Sequence, residues 1–320
     1  MRRDVKPFRG LSLGATLTHR QMKRLHLSWT AAILFFSCWA SVPGQEVEDV
    51  LKIDTSMVTV NVAVTDKKGR HVSELKAADF LLKDENQPVQ PEFFDTQGPA
   101  SIVFVVDVSV SMRGEKWESL SGGIKKFLAA QGSEGDDYTL ITFNEAPRLI
   151  ARSVSAQDFW RAFSTLKPTG DTALYDGLRL GLSNLERLPR RHKSLVLLSD
   201  GQDNSSKATL QMAYDEMLTY SASIYTVGIR GNRRTSLVTE ERRGEELLSE
   251  VAKATGGLVF FPRAGDISNV LDRISEDLRN GYSLSYYPPD KTPGWRRIQV
   301  RMMQSYSSLN LRYQPRYLLR

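Results

Sequence analysis

A buried-strand pattern in this sequence ends in three small oxygen-bearing side chains. Residues 102–112 have the sequence IVFVVDVSVSM, in which Asp107, Ser109 and Ser111 follow five apolar residues at every second position. An apolar run without polar alternation is typical of a strand that is covered on both faces. Oxygen atoms placed where such a strand ends could bind a hard cation, cap a helix or, for serine, act as a nucleophile.

Two later stretches place similar side chains beside other predicted strands and helices. Thr172 lies in TGDTALYD, where a predicted helix opens, and Asp200 ends the apolar run SLVLLSD. In a parallel sheet the carboxyl ends of the strands share one edge, and ligands bind outside that edge. We therefore expect Asp107, Ser109, Ser111, Thr172 and Asp200 to converge on one site.

The chemistry of these five groups favours a divalent cation, either Mg²⁺ or Mn²⁺. Carboxylates and hydroxyls are hard oxygen ligands, whereas zinc and copper sites prefer nitrogen and sulfur. His71 and His192 are the only histidines after residue 45, which argues against a histidine-based metal site. If the hydroxyls contact the ion while the carboxylates act mainly through water or hydrogen bonds, the ion keeps positive character. It then has an open position for the carboxylate of a partner.

At these residues the chain resembles the von Willebrand factor type A domain. That domain carries a metal-ion-dependent adhesion site with the motif Asp-x-Ser-x-Ser, plus a threonine and an aspartate on two later loops. Asp107, Ser109 and Ser111 match the motif, Thr172 matches the threonine and Asp200 matches the later aspartate. The resemblance covers about residues 99–280 and implies a Rossmann-like fold, a divalent ion and ligand binding without catalysis.

The sequences on either side of that region carry a second resemblance. VAVTDKKGRHVSELKAADFLLKDENQPV and GYSLSYYPP are similar to the flanks of exported bacterial proteins related to von Willebrand factor type A, which are abundant in Acidobacteria. This resemblance implies an exported bacterial protein.

Three further aspartates lie close to the predicted site in sequence. Asp171 stands where many members of the family carry glycine, and its carboxylate either changes the charge at the metal or faces water. Asp176 and Asp203 are expected to order their loops or cap a helix, as aspartate commonly does, and not to bind the ion.

An enzyme is a rival interpretation of the same residues. A phosphoryl-accepting Asp107 would need a second acid two residues later, where Ser109 stands, and a nucleophilic Ser111 would need a histidine base. His192 precedes the strand that ends at Asp200, so we expect this histidine at the opposite end of the sheet. A metal-dependent hydrolase is therefore disfavoured.

We predict instead a metal-dependent protein-binding or adhesion module, which engages an Asp or Glu side chain of a protein partner through the bound ion. The alternative is an assembly or regulatory subunit of the cell envelope that uses the same site. The sequence does not separate these two roles, because they differ only in the partner.

The alternation of apolar runs and amphipathic segments predicts a doubly wound α/β domain over residues 99–280. Apolar runs such as YTLITF and ASIYTVGI alternate with amphipathic segments of helical length, which is typical of a mainly parallel sheet between two layers of helices. Residues 46–98 and 281–320 show short strands instead, as in MVTVNVAVTD. We predict that the two ends form one small β-sandwich into which the central domain is inserted. The charged stretch 230–246 is predicted to be a solvated loop.

The first 45 residues are predicted to be an export signal. They combine basic residues, an apolar run over about residues 27–40 that is short for a membrane span, and small residues after it. Met22 could be the true start, and we expect cleavage near residues 40–45, with an uncleaved anchor as the alternative. The single cysteine, Cys38, lies in this segment, so no disulfide is expected in the mature chain.

Charge excludes one class of partner. The formal net charge is +6, but the first 45 residues hold seven Lys and Arg against one acid, which leaves 36 basic and 36 acidic residues in the remainder. We therefore expect no nucleic-acid partner. The mature protein is predicted to be periplasmic, surface-located or secreted, without an integral membrane span, and the sequence predicts no oligomeric state.

Overall fold

The computed structural model describes residues 57–96, 98–130, 135–185, 187–190, 192–230, 238–303, 306 and 308–319, without the side chains of residues 238–241. The predicted leader, with Met22, Cys38 and the expected cleavage site, lies outside the described residues. Within the described part of the chain, no helix is both long enough and apolar enough to cross a membrane.

The described residues form strands from end to end of this part of the chain, with helices concentrated in its centre. In chain order the strands are β1 (Val58–Thr65), β2 (Phe80–Asp84), β3 (Gln87–Val89), β4 (Phe93–Asp95), β5 (Ala100–Asp107), β6 (Asp137–Phe143), β7 (Pro147–Val154), β8 (His192–Ser199), β9 (Ser223–Gly228), β10 (Val259–Phe260), β11 (Gly281–Tyr286), β12 (Gly294–Met302), β13 (Asn310–Tyr313) and β14 (Arg316–Leu319). The helices are α1 (Glu115–Ala130), α2 (Ala156–Phe163), α3 (Leu174–Leu185), α4 (Leu210–Met217), α5 (Val238–Ala254) and α6 (Ile267–Arg279).

The central sheet has six strands in the order β10-β9-β8-β5-β6-β7. Neighbouring strands run parallel, except that β7 is antiparallel to β6 at the edge. Every residue of β5 is buried, because helices cover both faces of the sheet. On one face Phe104 packs with Ile124 of α1 and Leu271 of α6, and on the other Val105 packs with Leu178 of α3. The predicted doubly wound α/β fold is confirmed.

The two ends of the described chain build two four-stranded antiparallel sheets, in the orders β13-β1-β11-β4 and β14-β12-β2-β3. The two sheets share one apolar core, which includes Val60 and Val64 of β1, Phe80 of β2, Tyr286 of β11 and Val300 of β12. Burial alternates along β1, because its valines face this core while the residues between them are half-buried. The predicted β-sandwich of N-terminal and C-terminal strands is confirmed.

The amino ends of the central strands rest against the first of these sheets. Ser283 of β11 donates a hydrogen bond to Asn61 Oδ1 of β1 (2.7 Å), and its Oγ lies 3.0 Å from Nδ1 of His192, the first residue of β8. The sandwich therefore lies at the end of the central sheet opposite to the carboxyl ends of its strands.

A buried acid links the last central helix to the sandwich. Asp277 of α6 accepts a hydrogen bond from the hydroxyl of Tyr225 (2.8 Å) and pairs with Arg312 of β13. Nε2 of His71 lies 3.2 Å from the same carboxylate. Residues 53–320 form one compact unit. The division into a sandwich domain over residues 46–98 and 281–320 and a central domain over residues 99–280 therefore stays a prediction.

The prediction for residues 230–246 was wrong in its second half. Helix α5 begins at Val238, inside the stretch predicted to be a solvated loop, while residues 231–237 lie outside the described part. Glu and Arg are good helix formers, and a mostly polar helix is stabilised when a few apolar residues reach a core. Leu248 and Val251 do so in α5.

Two elements, β7 and α2, were not predicted. Strand β7 lies at the edge of the sheet and most of its residues are exposed, so its sequence lacks the apolar run that marks the buried strands. Helix α2 is short, and Ser155 caps it by accepting a hydrogen bond from the backbone N–H of Asp158 (3.2 Å). This capping serine was the available sequence signal.

A buried ion pair joins three neighbouring strands of the second antiparallel sheet. Arg296 of β12 is 7% exposed, and its Nε lies 3.0 Å from Oδ1 of Asp84, which is fully buried in β2. The hydroxyl of Tyr317 in β14 donates to the other oxygen of Asp84 (2.8 Å). Removal of the arginine would leave a buried carboxylate without its counter-charge, which is far costlier than loss of an exposed ion pair.

We predict that Arg296→Met lowers the free energy of unfolding by about 3–5 kcal/mol, the usual cost of breaking a buried pair from one side. Arg301→Met is the matched control, because Arg301 is exposed on the same strand, and its effect should stay within about 0.5 kcal/mol. Urea denaturation of the three proteins measures both values. Equal stability of the two variants would contradict a structural role for this pair.

Candidate metal centre

The predicted site residues lie on loops at the carboxyl edge of the central sheet. Asp107 is the last residue of β5, and Asp200 directly follows β8, which is the parallel neighbour of β5. Thr172 lies two residues before the start of α3. The structure therefore places all three loops at the same edge, as the strand directions required.

Backbone hydrogen bonds hold these loops to one another. The N–H of Val110 donates to the carbonyl of Gly170 (2.9 Å), which joins the first loop to the second. The carbonyl of Thr172 accepts from the N–H groups of Asn204 (2.9 Å) and Ser205 (3.1 Å), which joins the second loop to the third. The three segments thus form one hydrogen-bonded unit.

Asp107 is fully buried, and both of its carboxylate oxygens accept hydrogen bonds. One oxygen accepts from the backbone N–H of Ser109 (2.9 Å) and the other from the hydroxyl of Ser199 (2.8 Å). Ser199 in turn accepts from the N–H of Gly201 (3.1 Å). Sequence reasoning missed Ser199, and its signal was a hydroxyl residue at the end of an otherwise apolar strand.

The two motif serines lie side by side. A short 3-10 turn over Val110–Met112 turns the chain back after β5, so that the hydroxyl oxygens of Ser109 and Ser111 are 2.9 Å apart. Met112 is fully buried and holds this turn against the core. Two adjacent hydroxyls with rotatable protons can both direct lone pairs at one cation.

Thr172 is 3% exposed, and the neighbouring polar residues fix its loop. Asn204 Oδ1 accepts from the N–H of Thr172 (2.8 Å), and Asp203 accepts from the N–H of Leu174, the first residue of α3 (2.8 Å). Asp176 accepts from two N–H groups of the loop at residues 207–208. Asp176 and Asp203 therefore order loops and cap a helix, as predicted, while Asp171 is exposed.

Asp200 has one paired and one unpaired carboxylate oxygen. Oδ2 lies 3.0 Å from Nζ of Lys116, the second residue of α1. Oδ1 is buried and has no hydrogen-bond partner among the described residues. A buried carboxylate oxygen without a donor is costly, so this atom is suited to a cation or to a water molecule on a cation. Sequence reasoning missed Lys116.

The loop that carries Asp200 is held against helix α5 by two glycines. Gly201 has φ +84°, a conformation that favours glycine, and a Cβ atom on Gly244 of α5 would lie 2.3 Å from the carbonyl oxygen of Gly201. The absence of side chains at both positions therefore allows the loop to lie on the helix.

The electrostatics of the site favour positive charge. Burial, together with the charge of Asp200, raises the pKa of Asp107 to about 6, although hydrogen bonds from Ser109 and Ser199 act in the opposite direction. Among the described residues, no three acidic, histidine or cysteine side chains form a ligand cluster. An ion here would rely on the hydroxyls of Ser109, Ser111 and Thr172 besides the carboxylates, and this hard oxygen set fits Mg²⁺ or Mn²⁺.

Both histidines of the described chain lie away from this site. His192 begins β8, at the opposite end of the sheet from Asp200, as the sequence predicted. His71 lies beside Asp277 at the contact with the sandwich.

A doubly wound sheet whose carboxyl edge gathers an Asp-x-Ser-x-Ser loop, a threonine and an aspartate defines a class of binding domain. Residues 101–270 match the family described as von Willebrand factor type A domain. This match covers more than half of the 320 residues, and the chain belongs to that family.

Sequence relatives match only part of their own length. Inter-alpha-trypsin inhibitor heavy chain H4 of Sus scrofa is 32% identical over 146 residues, which are 41% of this chain and 16% of the relative. An uncharacterized protein of Borreliella burgdorferi is 23% identical over 183 residues, which are 50% of this chain and 53% of that protein. The matched region thus spans about half of one relative and a sixth of the other.

Solved structures of similar fold include von Willebrand factor type A from Catenulispora acidiphila, with a TM-score of 0.48, 13% identity and coverage of 75% of this chain and 72% of that chain. Proximal thread matrix protein 1 from the mussel byssus, described with a zinc-occupied MIDAS motif, has a TM-score of 0.48 and 20% identity. That comparison covers 62% of this chain and 50% of the other.

We predict a specific pH dependence for the metal-free protein. The pKa of Asp107 is about 6 in the folded state against 3.8 for an ordinary aspartate, so its contribution to stability is present at low pH and is lost as the pH rises through 6. In the presence of a chelator, this loss between about pH 5 and pH 7.5 should be on the order of 1 kcal/mol.

Asp107→Asn serves as the reference, because it removes the titration and keeps the size of the side chain. The difference in free energy of unfolding between wild type and variant, measured by urea denaturation at both pH values, should change by that amount. A difference that is independent of pH would show that Asp107 does not carry the expected buried charge.

Proposed function

We propose that this protein is an exported binding module, which engages a protein partner through a divalent ion held by Asp107, Ser109, Ser111, Thr172 and Asp200. The observation that carries the proposal is the unpaired, buried Oδ1 of Asp200. It lies on a loop that is hydrogen-bonded, through the Thr172 segment, to the loop of the two serines.

The residues have distinct expected roles. Ser109, Ser111 and Thr172 would hold the ion by neutral oxygens, while Asp107, whose two oxygens already accept hydrogen bonds, would act mainly through those hydroxyls or water. Lys116 pairs with Oδ2 of Asp200, so Oδ1 is the oxygen of this carboxylate that remains for the ion or its water. A Mg²⁺ or Mn²⁺ ion bound by mostly neutral ligands keeps positive character and can accept an Asp or Glu carboxylate from a partner.

We infer binding without catalysis. Neither histidine of the described chain lies beside Ser111 as a base. His192 begins β8 at the far end of the sheet, and His71 lies beside Asp277. Asp107 has Ser109 two positions later, where a phosphoryl-transfer site would need a second acid. A metal-dependent hydrolase is therefore the less supported alternative.

The metal site gives a direct prediction. Excess MgCl₂ or MnCl₂ should raise the melting temperature of the wild type relative to chelator, since a ligand at 100 times its Kd stabilises the folded state by about 2.7 kcal/mol. Asp107→Ala and Asp200→Ala should abolish this shift. Ser109→Ala should reduce it less, because water can replace one neutral ligand.

Asp215→Ala is the matched control, since Asp215 is an acid of α4 that hydrogen-bonds Gln211 (2.7 Å) away from the three loops. Differential scanning calorimetry of all variants, with and without metal, measures the shifts. The proposed site is wrong if the Asp200→Ala protein responds to metal as the wild type does.

The second candidate role is assembly or regulation in the cell envelope, with periplasmic, surface or secreted placement implied by the leader pattern. Affinity purification from envelope and surface extracts, with and without chelator, should separate the two roles. A surface adhesin should retain matrix or host components in a metal-dependent manner, whereas an assembly subunit should retain envelope proteins.

A further inference from the structure

The outer face of the second antiparallel sheet carries a cluster of cations. Strand β12 alternates strictly, with Ile298 and Val300 buried in the sandwich core and Trp295, Arg297 and Arg301 exposed on the opposite face. The first sheet, β13-β1-β11-β4, contacts the amino ends of the central strands. The outer face of β14-β12-β2-β3 therefore points away from the central domain.

Neighbouring strands add cations to this face. Arg316 of β14 lies directly opposite Arg297, and Lys83 of β2 lies directly opposite Gln299. Arg301 follows Gln299 by two positions, about 7 Å along the strand. We call the surface formed by Lys83, Arg297, Arg301 and Arg316 the basic face.

The positive charges of the basic face are compensated only in part by the described residues. None of its four cations forms an ion pair there, whereas the inward-facing Arg296 pairs with Asp84 and Asp290. Glu85 follows β2 and lies opposite Arg297: its N–H donates to the carbonyl of Arg297 (3.0 Å), and its carboxylate accepts a hydrogen bond from the backbone N–H of Arg297. Like charges directly opposite each other, as in Arg297 and Arg316, destabilise a sheet. One carboxylate, that of Glu85, does not balance four cations, so a negative partner would stabilise this face.

Apolar side chains lie among these cations. Trp295 is 50% exposed, Leu81 opposite Arg301 is 47% exposed, and Met303, the residue after β12, is 42% exposed. Tryptophan places an apolar ring and a polar N–H at a boundary between water and lipid, and Arg and Lys lie along apolar surfaces with their charges in the polar layer. A sheet face that mixes such residues fits the interface of a bilayer.

We propose that the basic face docks on a bilayer of anionic phospholipids. The charge complementarity favours an anionic partner, since four unpaired cations face outward together, and each Lys or Arg at an anionic surface strengthens binding about fivefold. The exposed Trp295, Leu81 and Met303 favour lipid over a soluble acidic polymer, because a polymer of phosphates or carboxylates would leave these apolar groups in water. The docking surface is separate from the metal site.

Binding to vesicles tests the charge requirement. The full chain should bind vesicles of phosphatidylglycerol and phosphatidylcholine more tightly than vesicles of phosphatidylcholine alone, and binding should weaken with salt. The double variant Arg297→Gln/Arg301→Gln should bind about 25-fold more weakly. Lys125→Gln/Lys253→Gln removes the same charge from exposed positions on α1 and α5 and should bind like the wild type.

A local probe separates this face from the N-terminal segment, which is itself basic and apolar. In a Cys38→Ser background, Leu81→Cys is labelled with an environment-sensitive fluorophore, and Lys125→Cys is the control position. The emission of the label at position 81, and not at 125, should shift to the blue with anionic vesicles. An unchanged spectrum at position 81 overturns the proposal, however the chain as a whole binds.

Two further outcomes are decisive. Binding of a soluble polyanion such as heparin, lost in the double variant and without any response to vesicles, would reassign the face to an acidic polymer. In the presence of chelator, the Asp200→Ala protein is expected to bind vesicles as tightly as the wild type does. This result would distinguish failure of the metal site from failure of the docking surface.

Discussion

The burial of Asp107 and Asp200 at one edge of a parallel sheet is the constraint around which this molecule is built. Taking two carboxylates out of water carries a cost that grows when they face each other, and this cost raises the pKa of Asp107 to about 6. The protein offsets part of it with a backbone N–H, a serine hydroxyl and the ammonium group of Lys116. One oxygen of Asp200 is left without a donor. A cation, or a water molecule on a cation, would supply the missing partner of this oxygen.

The fold supplies that edge because its strands are buried on both faces. A strand such as β5, with all residues buried, can place a polar group only where it ends, and parallel neighbours end at the same side. The contact between Gly201 and Gly244 holds the Asp200 loop against α5. The hydrogen bonds that the Thr172 carbonyl accepts hold the second and third loops together. Rigid strands and short, cross-bonded loops together position side chains that are far apart in sequence.

Sequence reasoning predicted the parts of the structure that follow from local pattern. Buried runs, the alternation of β1 and the strand-end positions of Asp107 and Asp200 are all periodic or positional features. Lys116 could not be found this way, because Asp200 lies 84 residues away, and the strand-end position of Ser199 did not reveal its bond to Asp107, 92 residues away. The pairing of Asp84 with Arg296 spans 212 residues and was hidden for the same reason. Edge strand β7 was missed because partial exposure removes the apolar run. The beginning of α5 was assigned to a loop because charged helix formers also occur in loops.

The positions of the two charged surfaces lead to a final argument about orientation. The candidate metal centre lies at the carboxyl ends of β5 and β8, whereas His192 at the amino end of β8 contacts Ser283 of the sandwich. The basic face lies beyond that contact, on the far side of the sandwich. A chain docked by this face would therefore hold its metal centre away from the bilayer, where a carboxylate of a partner could reach it. A negative membrane surface would then not compete for the ion, because charges beyond about 8–10 Å of solution are largely screened at physiological salt.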